Sequence, residues 1–146
     1  MTEVSPDMLS LGQLRTRINR LARKIEAPRQ HLPTYGHSQD FGRPHIESDQ
    51  AYHFVVVERG QEWERRTTRD LDELLYWVFS SVTFGMASEF ELRNRIPNAD
   101  FRRALFRKQL DLLGNLDEKW RAQAKAELVL TLSNHPFSDG GPCDLD

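Results

Sequence analysis

Apolar residues recur at helical spacing, every three or four positions, in four stretches of the chain. The first stretch predicts a helix over about 8–26, ending before Pro28 because a residue that precedes proline is pushed out of helical geometry. Three more helices are predicted over about 69–93, 98–113 and 116–134. The helix over 69–93 has the most apolar stripe and is expected to be central, and the one that follows it is expected to stop at Gly114.

A β-hairpin is predicted where two extended runs, 51–58 and 61–67, flank Arg59-Gly60, since glycine permits the positive φ of a tight turn. The first run is apolar on both faces, as in an inner strand, and the second is charged, as in an edge strand. A two-residue turn followed by a regular ladder gives these pairs: Glu58 with Gln61, Val56 with Trp63, and Phe54 with Arg65.

The residues on either side of the hairpin complete the predicted architecture. Residues 27–50 hold three prolines without sustained periodicity and are expected to form a long ordered loop or short irregular strands. Thr67 and Thr68 precede Asp70 and Glu73, which is typical of a hydroxyl cap with acidic residues in the first helical turn. The predicted class is α+β, with a small antiparallel sheet including the 51–67 hairpin packed against about four helices.

The length of 146 residues suits one domain, which we predict over 1–139, followed by a mobile tail over 140–146. Apolar runs such as Phe54–Val57 are far shorter than the roughly 20 residues of a membrane helix. The first residues have no basic region followed by an apolar stretch, so no secretory signal is predicted. We therefore expect a soluble cytoplasmic protein without a membrane partner; the sequence leaves its oligomeric state open.

Composition and motifs argue against several kinds of chemistry. The single cysteine, Cys143, excludes an intrachain disulfide and a cysteine-based zinc site. The sequence contains neither a Gly-x-Ser-x-Gly elbow nor a glycine-rich phosphate loop, so no catalytic residue and no cofactor is predicted. Twenty basic and 22 acidic residues give a net charge of −2, which argues against affinity based mainly on phosphate neutralisation.

Histidines and carboxylates are frequent between residues 31 and 58, and imidazole with carboxylate can bind metals or carry protons. The set comprises His31, His37, His45 and His53 with Asp40, Glu47, Asp49 and Glu58. No His-x-x-x-His, His-Glu-x-x-His or His-x-His spacing occurs among them, so packing roles are favoured and no metal site is predicted. A hydrolase built on this set is a third functional alternative, which stoichiometric bound zinc would favour.

The first predicted helix and its flank are strongly basic, with six cations over residues 10–30 against Glu26 alone: Arg15, Arg17, Arg20, Arg23, Lys24 and Arg29. The favoured interpretation is a solvated face that pairs with acidic residues elsewhere. The alternative is a small nucleic-acid-associated or regulatory protein that uses Arg15, Arg20 and Arg23. The net negative charge argues against a nucleic-acid partner.

Five acidic residues cluster over the second hairpin strand and the start of the next helix: Glu62, Glu64, Asp70, Asp72 and Glu73. They could be ordinary solvated positions and complements of the helix dipole. They could equally form the binding face for a basic partner, because complementary charge gives fast association and specificity. The sequence leaves these interpretations open.

Four segments together resemble the immunity protein 63 family of bacterial polymorphic toxin systems, over about 45–139: Tyr52–Gly60, Thr67–Trp77, Asp100–Arg103 and His135–Phe137. The resemblance implies a cytoplasmic antidote that protects the producing cell by binding the C-terminal domain of a cognate secreted toxin. It carries over no catalytic residues. Its motifs are structural, since Glu58-Arg59-Gly60 suits a hairpin turn and Asp70–Glu73 a helix start.

Overall fold

The computed structural model describes residues 6–38 and 42–145, and within them it has four α-helices and a four-stranded sheet. The helices are α1 (Leu11–Lys24), α2 (Leu71–Arg93), α3 (Phe101–Leu116) and α4 (Glu118–Asn134). The strands are β1 (Thr34–Tyr35), β2 (His45–Ser48), β3 (Tyr52–Glu58) and β4 (Gln61–Thr68). The predicted α+β class is confirmed.

The chain divides into two compact units between Phe79 and Ser80, inside α2. The first unit holds α1, the sheet and the start of α2, and the second holds the rest of α2 with α3 and α4. In the second unit α3 packs against α4, and Leu145, in the segment predicted to be a tail, is only 4% exposed. The single domain over 1–139 and the mobility of the tail stay predictions.

The sheet has the order β1-β2-β3-β4, so β3 is an inner strand and β4 an edge strand, as predicted. β2 pairs antiparallel with β3, and β3 pairs antiparallel with β4. The stretch 27–50, which has no sustained periodicity, contributes β1 and β2, and these two pair in parallel. The sheet is therefore mixed, with one parallel pair added to the predicted antiparallel strands.

The hairpin turns at Arg59 and Gly60, with φ of 54° and 73°, which is the left-handed geometry of a tight two-residue turn. Glu58 pairs with Gln61 and Val57 with Glu62 as a regular ladder predicts, but the ladder beyond Val57 is wrong. A β-bulge opposite Val56 and Val57 inserts one extra residue into β4 and shifts the later pairs by one. The observed pairs are Val56 with Glu64 and Phe54 with Arg66.

Helix starts follow capping chemistry in all four described helices. Ser10 Oγ accepts the Gln13 N–H at 3.2 Å while the Gln13 side chain accepts the Ser10 N–H, which forms a capping box for α1. At α2 the cap is Asp70 instead of a threonine, because its carbonyl accepts from Leu74 and its Oδ1 accepts the Asp72 N–H. Thr68 Oγ1 accepts the N–H of Asp70 and so orients the capping residue.

The prediction that the third helix stops at Gly114 is wrong, because α3 continues to Leu116. Asp117 ends it, with an extended backbone at φ −162° and ψ 120° and an N–H that donates to the Leu113 carbonyl. The Asp117 side chain then accepts from Lys119 and caps α4. A Cβ at position 114 would lie 2.9 Å from Arg121 Cδ, so the glycine permits a close approach of α4 to α3.

The apolar stripe of α2 is buried over most of its length, with Leu74, Phe79 and Val82 completely inaccessible. Phe90, at the end of the predicted stripe, is 38% exposed.

None of the described helices is long and apolar enough to cross a bilayer.

Candidate functional site

The five predicted acidic residues lie in the first unit at the two ends of β4. Glu62 and Glu64 lie near the hairpin turn, whereas Asp70, Asp72 and Glu73 follow the far end of the strand. A strand rises about 3.3 Å per residue, so the two groups are separated by roughly 20 Å of chain. The structure therefore divides the acidic cluster into two groups along one edge of the sheet.

Arg65 binds two carboxylates on one face of the sheet. Its Nε lies 2.8 Å from Glu62 Oε1, and its Nη1 lies 3.1 Å from Glu47 Oε1. Glu47 Oε2 also lies 2.8 Å from Nε2 of His45, a residue that is 4% exposed. Arg65 reaches Glu47 because the bulge places it opposite Val55, across from His45 on β2.

This network fixes the charge state of its carboxylates. Burial raises the pKa of Glu47, but hydrogen bonds with Arg65 and His45 outweigh it and hold that pKa below its usual value. The hydrogen bond with Arg65 also lowers the pKa of Glu62. Both carboxylates are therefore ionised at neutral pH, and each shares the positive charge of Arg65.

Trp63 is a candidate binding residue that the predicted strand register does not identify, because that register pairs Trp63 with Val56, next to buried Phe54. The bulge instead leaves Trp63 at 66% exposure between Glu62 and Glu64. Its indole N–H donates to the Glu58 carbonyl at 3.2 Å, which holds the ring beside the turn. A lone tryptophan in an otherwise charged edge strand was the available sequence signal.

The other acidic residues have distinct local roles. Glu64 pairs with Arg66, whose guanidinium lies 5.7 Å from the centre of the Trp77 ring. Asp70 caps α2, and Asp72 and Glu73 are exposed in its first turn, where they complement the helix dipole. Glu73 has no ion-pair partner among residues 6–38 and 42–145.

The histidines do not converge on one site. His45 binds Glu47, and His53 binds Asp49 at 2.9 Å and Thr67 at 2.8 Å, so both support the sheet. The hydrogen bond with His53 lowers the pKa of Asp49. His37 lines a cleft beside α1 instead. In the part of the chain that the structure describes, no three metal-ligating side chains are placed to hold an ion; Asp40 lies outside it.

The three arginines of the nucleic-acid alternative are exposed on α1 and point to different surroundings. Arg15 lines the cleft that contains His37, and Arg23 lines a neighbouring cavity. Arg20 lines neither of these two. No ion pair joins any of the three to a carboxylate of the described residues.

In the second unit, two arginines hold the segment that follows α4 against the start of α3. Asp100 accepts hydrogen bonds from Arg102 and from the N–H and hydroxyl of Ser138. Arg103 binds Asp139 at 2.7 Å, and its guanidinium lies 4.0 Å from the centre of the Phe137 ring. The motifs Asp100–Arg103 and His135–Phe137 are thus two sides of one structural network.

The Asp100 and Asp139 carboxylates, the α2 cap and the hairpin turn all make contacts or adopt geometry that supports the fold. A family model for immunity protein 63 matches residues 48–129, more than half of the chain, from the end of β2 into α4. The chain belongs to this family of immunity proteins. No curated protein and no solved structure gives a match.

Proposed function

We propose that the protein is a cytoplasmic immunity protein that neutralises a cognate secreted toxin by stoichiometric, non-catalytic binding to the toxin's C-terminal domain. The observation that carries the proposal is the family match over residues 48–129. Inhibition by occupancy needs a surface that complements the toxin and does not need a proton shuttle. The histidine and carboxylate pairs on the sheet fit this reading, because they bind each other within the fold.

The toxin-binding surface that we propose is the exposed edge of β4 with the first turn of α2. It comprises Trp63 and the predicted acidic residues Glu62, Glu64, Asp70, Asp72 and Glu73. Toxin domains that act on nucleic acid have basic clefts, and an acidic surface can occupy such a cleft electrostatically.

Trp63 gives this surface an apolar anchor. Tryptophan is enriched among the residues that dominate binding energy, and its large ring loses little conformational entropy when it is buried by a partner. The hydrogen bond of Trp63 to Glu58 already restrains the ring. Glu73, which has no ion-pair partner among the described residues, would steer a basic partner towards this surface, since Glu62 and Glu64 are already paired with arginines.

The test is calorimetry of the full chain with the C-terminal domain of the toxin encoded beside it. We expect one-to-one binding, and Trp63→Ala should weaken it by about 2 kcal/mol or more if the ring is central to the interface. Glu73→Lys should slow association and reduce the salt dependence of binding. A catalytic rate of toxin modification at substoichiometric concentration would contradict the proposal.

Two sets of control variants distinguish a specific loss of the binding surface from other effects of substitution. Glu118→Lys reverses a comparable charge, since Glu118 is also an exposed acid in the first turn of a helix, and it should bind like the parent. Replacing His31, His37, His45 and His53 by Ala should preserve protection in variants that still fold. If the histidine set abolishes protection while Trp63→Ala and Glu73→Lys bind normally, the hydrolase alternative replaces occupancy by this edge.

A further inference from the structure

A basic cleft of about 430 Å³ lies beside α1 and is not explained by the proposed toxin surface. We call it the α1 cleft; its lining includes Arg15 and Asn19 of α1, Arg29, Thr34, Tyr35 and Arg43. These residues precede position 48, so the cleft lies outside the segment that matches the immunity family. Its volume falls within the range of small-molecule sites, roughly 300–1,000 Å³.

The lining of the α1 cleft is positively charged. Three arginines contribute to its lining, and no described carboxylate does. Arg15 and Arg29 make no ion pair with any carboxylate in residues 6–38 and 42–145. The neighbouring cavity, which shares Asn19 and Arg29, also contains Glu26, so the excess of positive charge is concentrated in the α1 cleft.

Two of these arginines contact uncharged groups of the lining. Arg43 donates from Nε to the Leu32 carbonyl at 2.9 Å and from Nη2 to the Arg29 carbonyl at 3.1 Å. The Arg15 guanidinium lies 4.8 Å from the centre of the Tyr35 ring, a cation–π distance. The contact with Tyr35 orients the Arg15 guanidinium without neutralising it, which preserves its attraction for an anion.

Tyr35 contributes a donor that lacks an acceptor. Its hydroxyl oxygen is buried and has no hydrogen-bond partner among the described residues. Burial raises the pKa of Tyr35 to about 12, against a smaller opposing effect of Arg15, so the hydroxyl is protonated at neutral pH. A buried hydroxyl without a partner costs about 1–3 kcal/mol, and a ligand oxygen would remove this cost.

We propose that the α1 cleft binds the phosphate group of a small phosphorylated molecule. A phosphate monoester carries a charge of about −1.5 to −2 at neutral pH, which matches the two arginines without carboxylate partners better than a single carboxylate does. The planar guanidinium fork suits its oxygens, and the Tyr35 hydroxyl supplies a neutral donor. The net charge of −2 argues against an extended nucleic acid at this site.

The test is a titration of the isotope-labelled full chain, followed by amide resonances, with inorganic phosphate, adenosine 5′-monophosphate and adenosine as probes. We expect the first two to shift Asn19, Thr34 and Tyr35 with saturation, and adenosine to leave them unchanged. Arg15→Gln and Arg29→Gln should each weaken the binding of adenosine 5′-monophosphate about tenfold, the effect of losing one charge-assisted contact. Tyr35→Phe should weaken it severalfold without lowering the melting temperature.

The matched control is Arg17→Gln, which removes the same charge from α1 at an exposed position outside the cleft. It should change the affinity less than about twofold, the size of a screened long-range effect. The proposal is overturned if phosphate produces no saturable shift, or if Arg17→Gln weakens binding as much as Arg15→Gln. It is equally overturned if single-stranded DNA, titrated in the same way, is the only probe that binds, with shifts spread along Arg17 and Arg20, which is the result expected of the nucleic-acid alternative.

Discussion

Two groups of arginines in this molecule have opposite environments. Arg102 and Arg103, at the start of α3, bind Asp100 and Asp139, and both guanidiniums lie over the Phe137 ring. Arg15, beside the α1 cleft, also lies over an aromatic ring but has no carboxylate partner among the described residues. The aromatic contact is common to Arg15, Arg102 and Arg103, so the carboxylate is what distinguishes Arg15 from the other two.

The difference separates arginines that stabilise the fold from those available for a partner. Arg102 and Arg103 have side chains about one-fifth exposed, and their hydrogen bonds reach carbonyls and carboxylates more than 30 residues away in sequence. Such contacts tie the segment after α4 to α3 at a fixed geometry. A guanidinium without an anionic partner remains able to bind an anionic group of another molecule.

The largest expected effect is on Asp100, whose side chain is 4% exposed. Asp100→Ala removes the cap of α3 and the acceptor for Arg102 and Ser138. We expect a loss of about 2–4 kcal/mol in the free energy of unfolding, measured by urea denaturation. Asp100→Asn, which retains an acceptor without the charge, should lose less, and a change within error for Asp100→Ala would contradict the structural role of this network.

The same network should make the protein sensitive to acid. Hydrogen bonds from Arg102 and Arg103 hold the pKa values of Asp100 and Asp139 well below the usual value of 3.8. A depressed pKa in the folded state stabilises the fold above pH 4, and this stabilisation is lost as the pH falls further. Stability measured from pH 6 downward should therefore decline below about pH 4, and the Asp100→Ala, Asp139→Ala double variant should show a shallower decline.

Local chemistry made the hairpin turn and most helix positions predictable. The residues Arg59-Gly60 are enough to predict a tight turn, and the helical spacing of apolar residues from Leu74 to Val82 is enough to predict a buried face. Both predictions depend only on residues that are close in sequence. Phe90 is an exception, because its helical spacing is the same whether it lies in the core or, as observed, partly exposed.

The errors involve contacts between distant residues. The β-bulge depends on how β4 meets β3, so the regular ladder misplaced Trp63 and Arg65. The two residues of β1 carry no periodicity and pair only because β2 lies beside them. Of the candidate site, the sequence identified the acidic residues but not the ion pairs of Glu62 and Glu64, and it did not identify Trp63 or the α1 cleft.

Arg65 gives an intermediate case for the comparison, since it binds Glu47 and Glu62 but is 38% exposed. Arg65→Ala should lower the free energy of unfolding by about 1 kcal/mol or less, because solvent screens an exposed pair. Thermal denaturation of Arg65→Ala and Asp100→Ala under the same conditions compares the two losses of stability. A loss as large as that of Asp100→Ala would show that exposure does not separate the two networks.

The smallest stability effect should come from the arginines without carboxylate partners. Arg15→Gln and Arg17→Gln, compared without added phosphate, should each change the free energy of unfolding by no more than about 0.5 kcal/mol. Glutamine preserves helix propensity at these exposed positions, and no ion pair with a described carboxylate is lost. Added phosphate should then raise the melting temperature of the parent and of Arg17→Gln more than that of Arg15→Gln, because a ligand stabilises the state that binds it. A large loss in Arg15→Gln without phosphate would instead make Arg15 a structural residue like Arg102, and the distinction between the two groups would not hold.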